Sequence, residues 1–406
     1  MEYIRRDLEE QIPVLSGEYP CVLLIGPRQA GKTTLLKWLM DEKRTYVSLE
    51  DFEERRMAKT EPVLFLQMHP LPVFIDEIQY APELLVYLKI AVDNGAAPGT
   101  FWIASSQIFP ELTALCESSA KRVAVCRLSF LSQHEMYGSG KQMPFSVHLN
   151  GLVQRKKNHR AADLSEMYQR IWKGSMPELI SGTAKDWASF YNSYLQTYIE
   201  RDAGELVSLS DKMQFSDFIR AAACRTGQML NLHQIAQEVG ISDDTARRWL
   251  QVLERTHLVF CLYPYQDEKL RRVIKAPKLY FNDTGLAAYL TRYASPEILM
   301  SGALSGGILE NYAVAEILKS YCVGGKCRFW YYRDKEGKEI DLILERDGWL
   351  CPLEVKRSAN PEQKCTRVFS ILDKASLPRE RGAVLCLQAE LSAFNSNDLM
   401  VPIWMI

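Results

Sequence analysis

No stretch of this 406-residue chain restricts its fold more than Cys21 to Leu35, CVLLIGPRQAGKTTL. The apolar run Cys21 to Ile25 reads as a buried strand. Gly26, Pro27, Arg28, Gln29, Ala30, Gly31, Lys32 and Thr33 then fit G-x-x-x-x-G-K-[ST], and Thr34 opens an apolar helical pattern. Two glycines let the backbone curl with its N–H groups turned inward as an anion nest. The helix that follows presents unpaired N–H groups and a partial positive charge to phosphate. In that setting Lys32 can reach the β- and γ-phosphates of ATP, and the Thr33 hydroxyl can ligate Mg²⁺.

Strand-like runs then alternate with helical stretches: Thr45 to Ser48, Leu71 to Ile75, Thr100 to Ala104 and Val123 to Leu128. Such alternation predicts an α/β fold with a parallel sheet and helices on both faces. The third run leads into Asp76 and Glu77, at the carboxyl end of a strand, where open α/β sheets bind ligands. Asp76 is expected to hold Mg²⁺ and Glu77 to polarise the attacking water. Ser106 or Gln107, after the fourth strand, could orient that water. Arg122, just before the fifth, could neutralise charge on a γ-phosphate in its own or a neighbouring subunit. A solvated helix end explains Arg122 equally well.

GPRQAGKTTL, YVSLED, FIDEIQ and SSQIF together resemble the bacterial and archaeal AAA+-type ATPases that carry a C-terminal DUF4143 domain. The likeness continues through YLQTYIERDAGEL and YRDKEGKEIDLILERDGWLCPLEVKRSANP, so it spans nearly the whole chain. It implies a P-loop ATPase core at 1–145, a small helical lid at 146–210 and a DUF4143-type domain at 296–406. Arg201 in the lid would read the nucleotide state or make a structural ion pair. The chain departs from the family pattern at Ala104-Ser105-Ser106 and at Ala120-Lys121-Arg122, positions tied to sensing rather than to ATP contact.

Residues 211–295 read as helices followed by two strands, a winged helix. Ala246, Trp249, Leu250 and Leu253 fall at i, i+3, i+4 and i+7, one buried helix face. Arg247, Arg248, Lys269, Arg271, Arg272 and Lys275 could meet DNA phosphates without sequence choice. Asp243 and Asp244 oppose that, and a module docking protein to protein fits as well.

In the last domain Asp347-Gly348 is a two-residue hairpin signal. It sets Arg346 opposite Trp349, Asp341 opposite Glu354, and Glu339 opposite Lys356. Carboxylates facing each other across a strand pair lie about 5 Å apart and repel unless a cation joins them. Asp341, Glu354-x-Lys356 and Glu310 on the preceding helix resemble the PD-(D/E)xK core of restriction-endonuclease-like folds. That resemblance implies a metal held by Glu310, Asp341 and Glu354, with Lys356 beside it. A helix at Gln363 to Lys374 and strands at Gly382 to Leu387 and Val401 to Met405 would complete the domain.

Net charge is −1, so any nucleic-acid surface must be local. None of the ten cysteines forms a C-x-x-C pair, and no apolar run approaches the roughly 20 residues of a membrane span. The N-terminus lacks the apolar core of a signal peptide. The reading is a cytoplasmic, Mg²⁺-dependent ATPase acting on DNA or on a protein partner, with a homo-oligomer open. Two alternatives stay open: a metal-dependent nuclease regulated by ATP, and a slow nucleotide-gated switch or scaffold.

Overall fold

Short β-branched and leucine-rich runs between amphipathic segments give the first fold unit its parallel sheet. The computed structural model describes residues 3–118, 122–141, 143–204, 207–208, 211–270, 273–322 and 326–406. The chain divides into two units, Ile4–Phe130 with Arg255–His257, and Leu131–Glu254 with Leu258–Ile406.

In the first unit β1 (Cys21–Ile25), β2 (Thr45–Ser48), β3 (Val73–Asp76), β4 (Phe101–Ser105) and β5 (Val123–Arg127) form one sheet, ordered β2-β3-β4-β1-β5. Every pairing is parallel. β1, β3 and β4 are buried along their whole length, as continuous apolar runs covered on both faces should be. Because β4 lies between β1 and β3, the loops after these three strands meet at one edge. The helix Lys32–Leu39 starts directly from Gly31, whose φ of 91° places it in the left-handed region. A Cβ on Gly26 would overlap the Leu128 carbonyl oxygen, so only glycine fits there. The third strand starts at Val73 rather than Leu71 and includes Asp76, which pairs in register with Ser48.

The second unit begins with helices that include Leu149–Asn158, Leu164–Lys173 and Trp187–Thr197. A π-turn, Tyr198–Asp202, follows the last of these. Next come the helix Lys212–Ala223, β6 (Gln228–Met229), the helices Leu232–Val239 and Asp243–Arg255, β7 (Val259–Leu262) and β8 (Lys278–Phe281). The sheet is ordered β6-β8-β7, with both pairings antiparallel. Ala246, Trp249, Leu250 and Leu253 are buried, as their spacing predicts.

After the helix Ser305–Ser320 a mixed sheet is built from β9 (Arg328–Arg333), β10 (Glu339–Arg346), β11 (Trp349–Lys356), β12 (Gly382–Cys386), β13 (Ser392–Ala393) and β14 (Asp398–Pro402). Its order is β13-β14-β12-β11-β10-β9. Asp347 and Gly348 both have positive φ, 52° and 80°, and Arg346 pairs with Trp349 as the turn predicts. One expected element gains a definite type and another differs from expectation. Gln363–Lys374 is a 3-10 helix, and its buried residues Thr366, Phe369 and Leu372 recur every third position, the period of that helix. The final strand ends at Pro402 and Ile403–Met405 forms a 3-10 turn. Pro402 has no N–H to extend the ladder. Among the described residues no helix is long and apolar enough to cross a membrane.

Candidate functional site

At the carboxyl edge of the first sheet the loop 26–31 turns from β1 into the helix Lys32–Leu39. Lys32 is buried, and its Nζ donates to the carbonyls of Gly26 and Pro27, 3.0 Å from each. Its charge is therefore aimed into the loop. The Thr33 hydroxyl donates to Asp76 Oδ2 at 2.7 Å, and the Tyr46 hydroxyl reaches the same oxygen at 3.3 Å. Burial pushes the Asp76 carboxyl up, and the Thr33 hydrogen bond and Lys32 charge pull against it. Tyr46, on β2, is pushed up to about 12 by burial and by Asp76, so it stays a neutral donor. Arg28 pairs with Glu50 at 3.2 Å, and Thr34 is exposed.

Glu77 sits just beyond β3 with φ 56° and ψ 51°, a left-handed conformation costly for a residue with a Cβ. Ser106 Oγ donates to Glu77 Oε2 at 2.9 Å. Gln79 Nε2 donates to the same carboxylate and to Ser106 Oγ, the latter at 2.7 Å, and its Oε1 accepts from Ser105 Oγ at 3.1 Å. Of the two candidates after β4, it is Ser106 that meets Glu77. The backbone N–H and carbonyl of Gln107 meet the Ser105 hydroxyl. Tyr46 and Gln79 escaped the sequence reading. Gln79 closes the FIDEIQ run, which is the signal that could have found it. Arg122 pairs with Asp93 at 2.9 Å on a half-exposed surface.

The second unit brings the other carboxylates together. The β10–β11 ladder runs from Arg346–Trp349 to Leu342–Leu353, and just past its last pair Asp341 lies close enough to Glu354 for its charge to act on it. Asp341 Oδ2 accepts from the Val355 N–H at 2.9 Å. Lys356 donates to Glu354 Oε1, and Arg333 to Glu339 Oε2. The sequence reading did not foresee Lys278 of β8. Its Nζ lies 2.6 Å from Glu310 Oε1, 2.6 Å from Glu339 Oε1 and 3.3 Å from Asp341 Oδ1. Burial followed by Asp341 pushes Glu310 up to about 7, and the same two causes raise Glu354. Burial alone would lower Lys278, but Asp341, Tyr280, Glu310 and Glu339 outweigh it and raise it.

The cationic candidates are scattered over the second unit. Arg247 pairs with Asp244 at 2.7 Å. Arg248, Lys269, Lys275 and Arg201 are exposed, while Arg271 and Arg272 lie outside the described residues.

Three family models match the chain: an AAA domain at residues 18–137, a domain of unknown function (DUF8612) at 164–297, and a domain of unknown function (DUF4143) at 305–406. Uncharacterised proteins of Mycobacterium tuberculosis and Mycobacterium bovis are each 28% identical over 365 residues, covering 88% of this chain and 75% of the relative. Among solved structures, a Walker-type ATPase of Pyrococcus abyssi aligns at 14% identity with a TM-score of 0.44, over 71% of this chain and 96% of that one. A signal transduction ATPase with a tetratricopeptide repeat sensor from Pyrococcus horikoshii aligns at 12% and 0.29, over 77% and 45%. Drosophila ORC bound to DNA aligns at 13% and 0.25, over 70% and 85%.

Proposed function

From a chain that carries an AAA domain at its N-terminal end and a DUF4143 domain at its C-terminal end, we propose that it hydrolyses ATP with Mg²⁺ and couples this to DNA or to a nucleic-acid-associated partner. The observation that carries the reading is the 2.7 Å hydrogen bond from Thr33 to Asp76, beside a loop into which Lys32 points. A hydroxyl and a carboxylate that already converge, with hydroxyls and a backbone N–H as partners, fit Mg²⁺. When bound, the ion supplies charge neutralisation on the β- and γ-phosphate oxygens. Gly26 to Thr34 would wrap the phosphates, with Arg28 at the mouth. Glu77 takes the proton of the attacking water, and Ser106 with Gln79 holds its carboxylate in one orientation. Arg122 as a finger to a neighbouring copy completes the reading.

For the load, the segment 212–281 is read as a winged helix that offers Arg248, Lys269 and Lys275 to phosphates. Arg247 is already matched by Asp244. The C-terminal domain is read as PD-(D/E)xK-like in fold, on the support of the Asp347-Gly348 turn and the register it sets. The test is phosphate release from ATP with Mg²⁺, with and without duplex or single-stranded DNA. Wild type should turn over, and Lys32→Ala should not. Charge reversal at Arg248 and Lys269 should remove any stimulation by DNA, and salt should weaken it. Wild type indistinguishable from buffer under all conditions would end this reading.

A further inference from the structure

The carboxylates of the C-terminal domain converge on a cation that the chain itself supplies. Lys278 has three N–H bonds and meets three carboxylates, those of Glu310, Glu339 and Asp341. Its side chain is 2% exposed. Tyr280, two residues on and on the same face of β8, donates to Glu310 Oε1 at 2.7 Å. Lys356 holds Glu354 through Oε1 and leaves its Oε2 buried without a hydrogen-bond partner, and Arg333 holds Glu339, so four carboxylates face three cations and Lys278 reaches three of the four. A divalent ion needs several oxygens converging on a position left open for it. Between Glu310, Glu339 and Asp341 that position is taken by Nζ. Among the described residues no group of three or more His, Cys, Asp or Glu is disposed to hold a metal. The residues present therefore do not fit the metal that a PD-(D/E)xK core implies.

We propose that Lys278 is a built-in cation standing where such a core holds its divalent ion, and that the C-terminal domain of this chain is a metal-free, non-cleaving domain. Its carboxylate cluster fastens β8 to the helix Ser305–Ser320 and to β10, and does no phosphodiester chemistry. The inference rests on the PD-(D/E)xK-like reading of this domain and is independent of ATP hydrolysis in the other unit. Removing the ammonium should open a cation site, since Glu310, Glu339 and Asp341 would then converge on an uncompensated position.

The test counts Mn²⁺ bound to the full chain without nucleotide, by electron paramagnetic resonance, and assays plasmid cleavage on the same samples. Wild type and Asp341→Asn should bind the same number of ions, and neither should cut DNA. Lys278→Met should bind one more Mn²⁺ than wild type, and Lys278→Met with Asp341→Asn should lose it again. Loss of one Mn²⁺ from wild type on Asp341→Asn would overturn the proposal, as would Mn²⁺-dependent cleavage abolished by that change. A folded Lys278→Met that gains no ion would also overturn it, because the cluster would then be no metal-type centre. If Lys278→Met does not fold, the comparison of wild type with Asp341→Asn decides alone. Phosphate release measured in parallel keeps failure of the ATPase reading separate.

Discussion

The two acidic centres of this molecule use the same side chains and end in opposite states. Asp76 and Glu77 at the end of β3 are met by neutral groups: the hydroxyls of Thr33, Tyr46 and Ser106 and the amide of Gln79. Asp341, Glu310 and Glu354 are met by the ammonium groups of Lys278 and Lys356. Hydroxyls and amides orient a carboxylate and leave its charge to be used. An ammonium orients it and consumes the charge. Under the readings proposed above, what separates a centre poised for a metal from one already closed is the residue opposite the acids, which lies far off in the chain.

The sharpest way to break this contrast is to remove one acid from the open centre. Glu77→Gln should lower kcat for ATP by about 100-fold or more, the usual reach of a positioned general base, with nucleotide binding kept. Turnover near wild type would mean that Glu77 is not the base. Next in size is the closed centre. Lys278→Met should cost about 3–5 kcal/mol in urea unfolding, because it strands buried carboxylates. Asp76→Asn should cost less than about 1 kcal/mol or stabilise, since burial already disfavours its charge. Equal losses for the two variants would erase the distinction.

Acid should weaken both units alike. Burial, then Lys32 and Arg127, lowers His257 in the first unit to about 4, and burial, then Arg155 and His134, lowers His159 in the second to about 3. Both values lie below the ordinary 6.5. The stability each contributes is present above 6.5 and is lost as pH falls through that value toward the folded one. At pH 5 each should cost about 2 kcal/mol, and Gln at either position should flatten the decline in denaturant midpoint. The smallest effect belongs to Ser106→Ala. Losing one hydrogen bond of about 1 kcal/mol should slow ATP turnover roughly fivefold with KM unchanged. A change in KM alone would place Ser106 in binding rather than in positioning.

What could be read from the sequence was what neighbouring residues decide. The loop 26–33 is one continuous peptide whose glycines and lysine carry their own geometry. The Asp347-Gly348 turn fixes the register from Arg346–Trp349 to Leu342–Leu353, and so brings Asp341 to the neighbourhood of Glu354. Lys278 was beyond reach because its partners sit 32, 61 and 63 residues away, on a helix and a strand whose approach no local pattern encodes. The helix expected at Gln363–Lys374 forms over those residues, and its 3-10 type stayed unread because a short stretch with apolar residues three apart satisfies either helix. Arg247 read as a free cation until Asp244, one turn away, claimed it.

Glu77 carries a consequence for anyone improving this protein. Its left-handed backbone costs about 1–2 kcal/mol that glycine would not incur. Directed evolution scored only on heat tolerance should therefore drift toward Gly at position 77. Under the role proposed for Glu77, the clones it returned would be sturdier, would hold the nucleotide, and would have lost turnover.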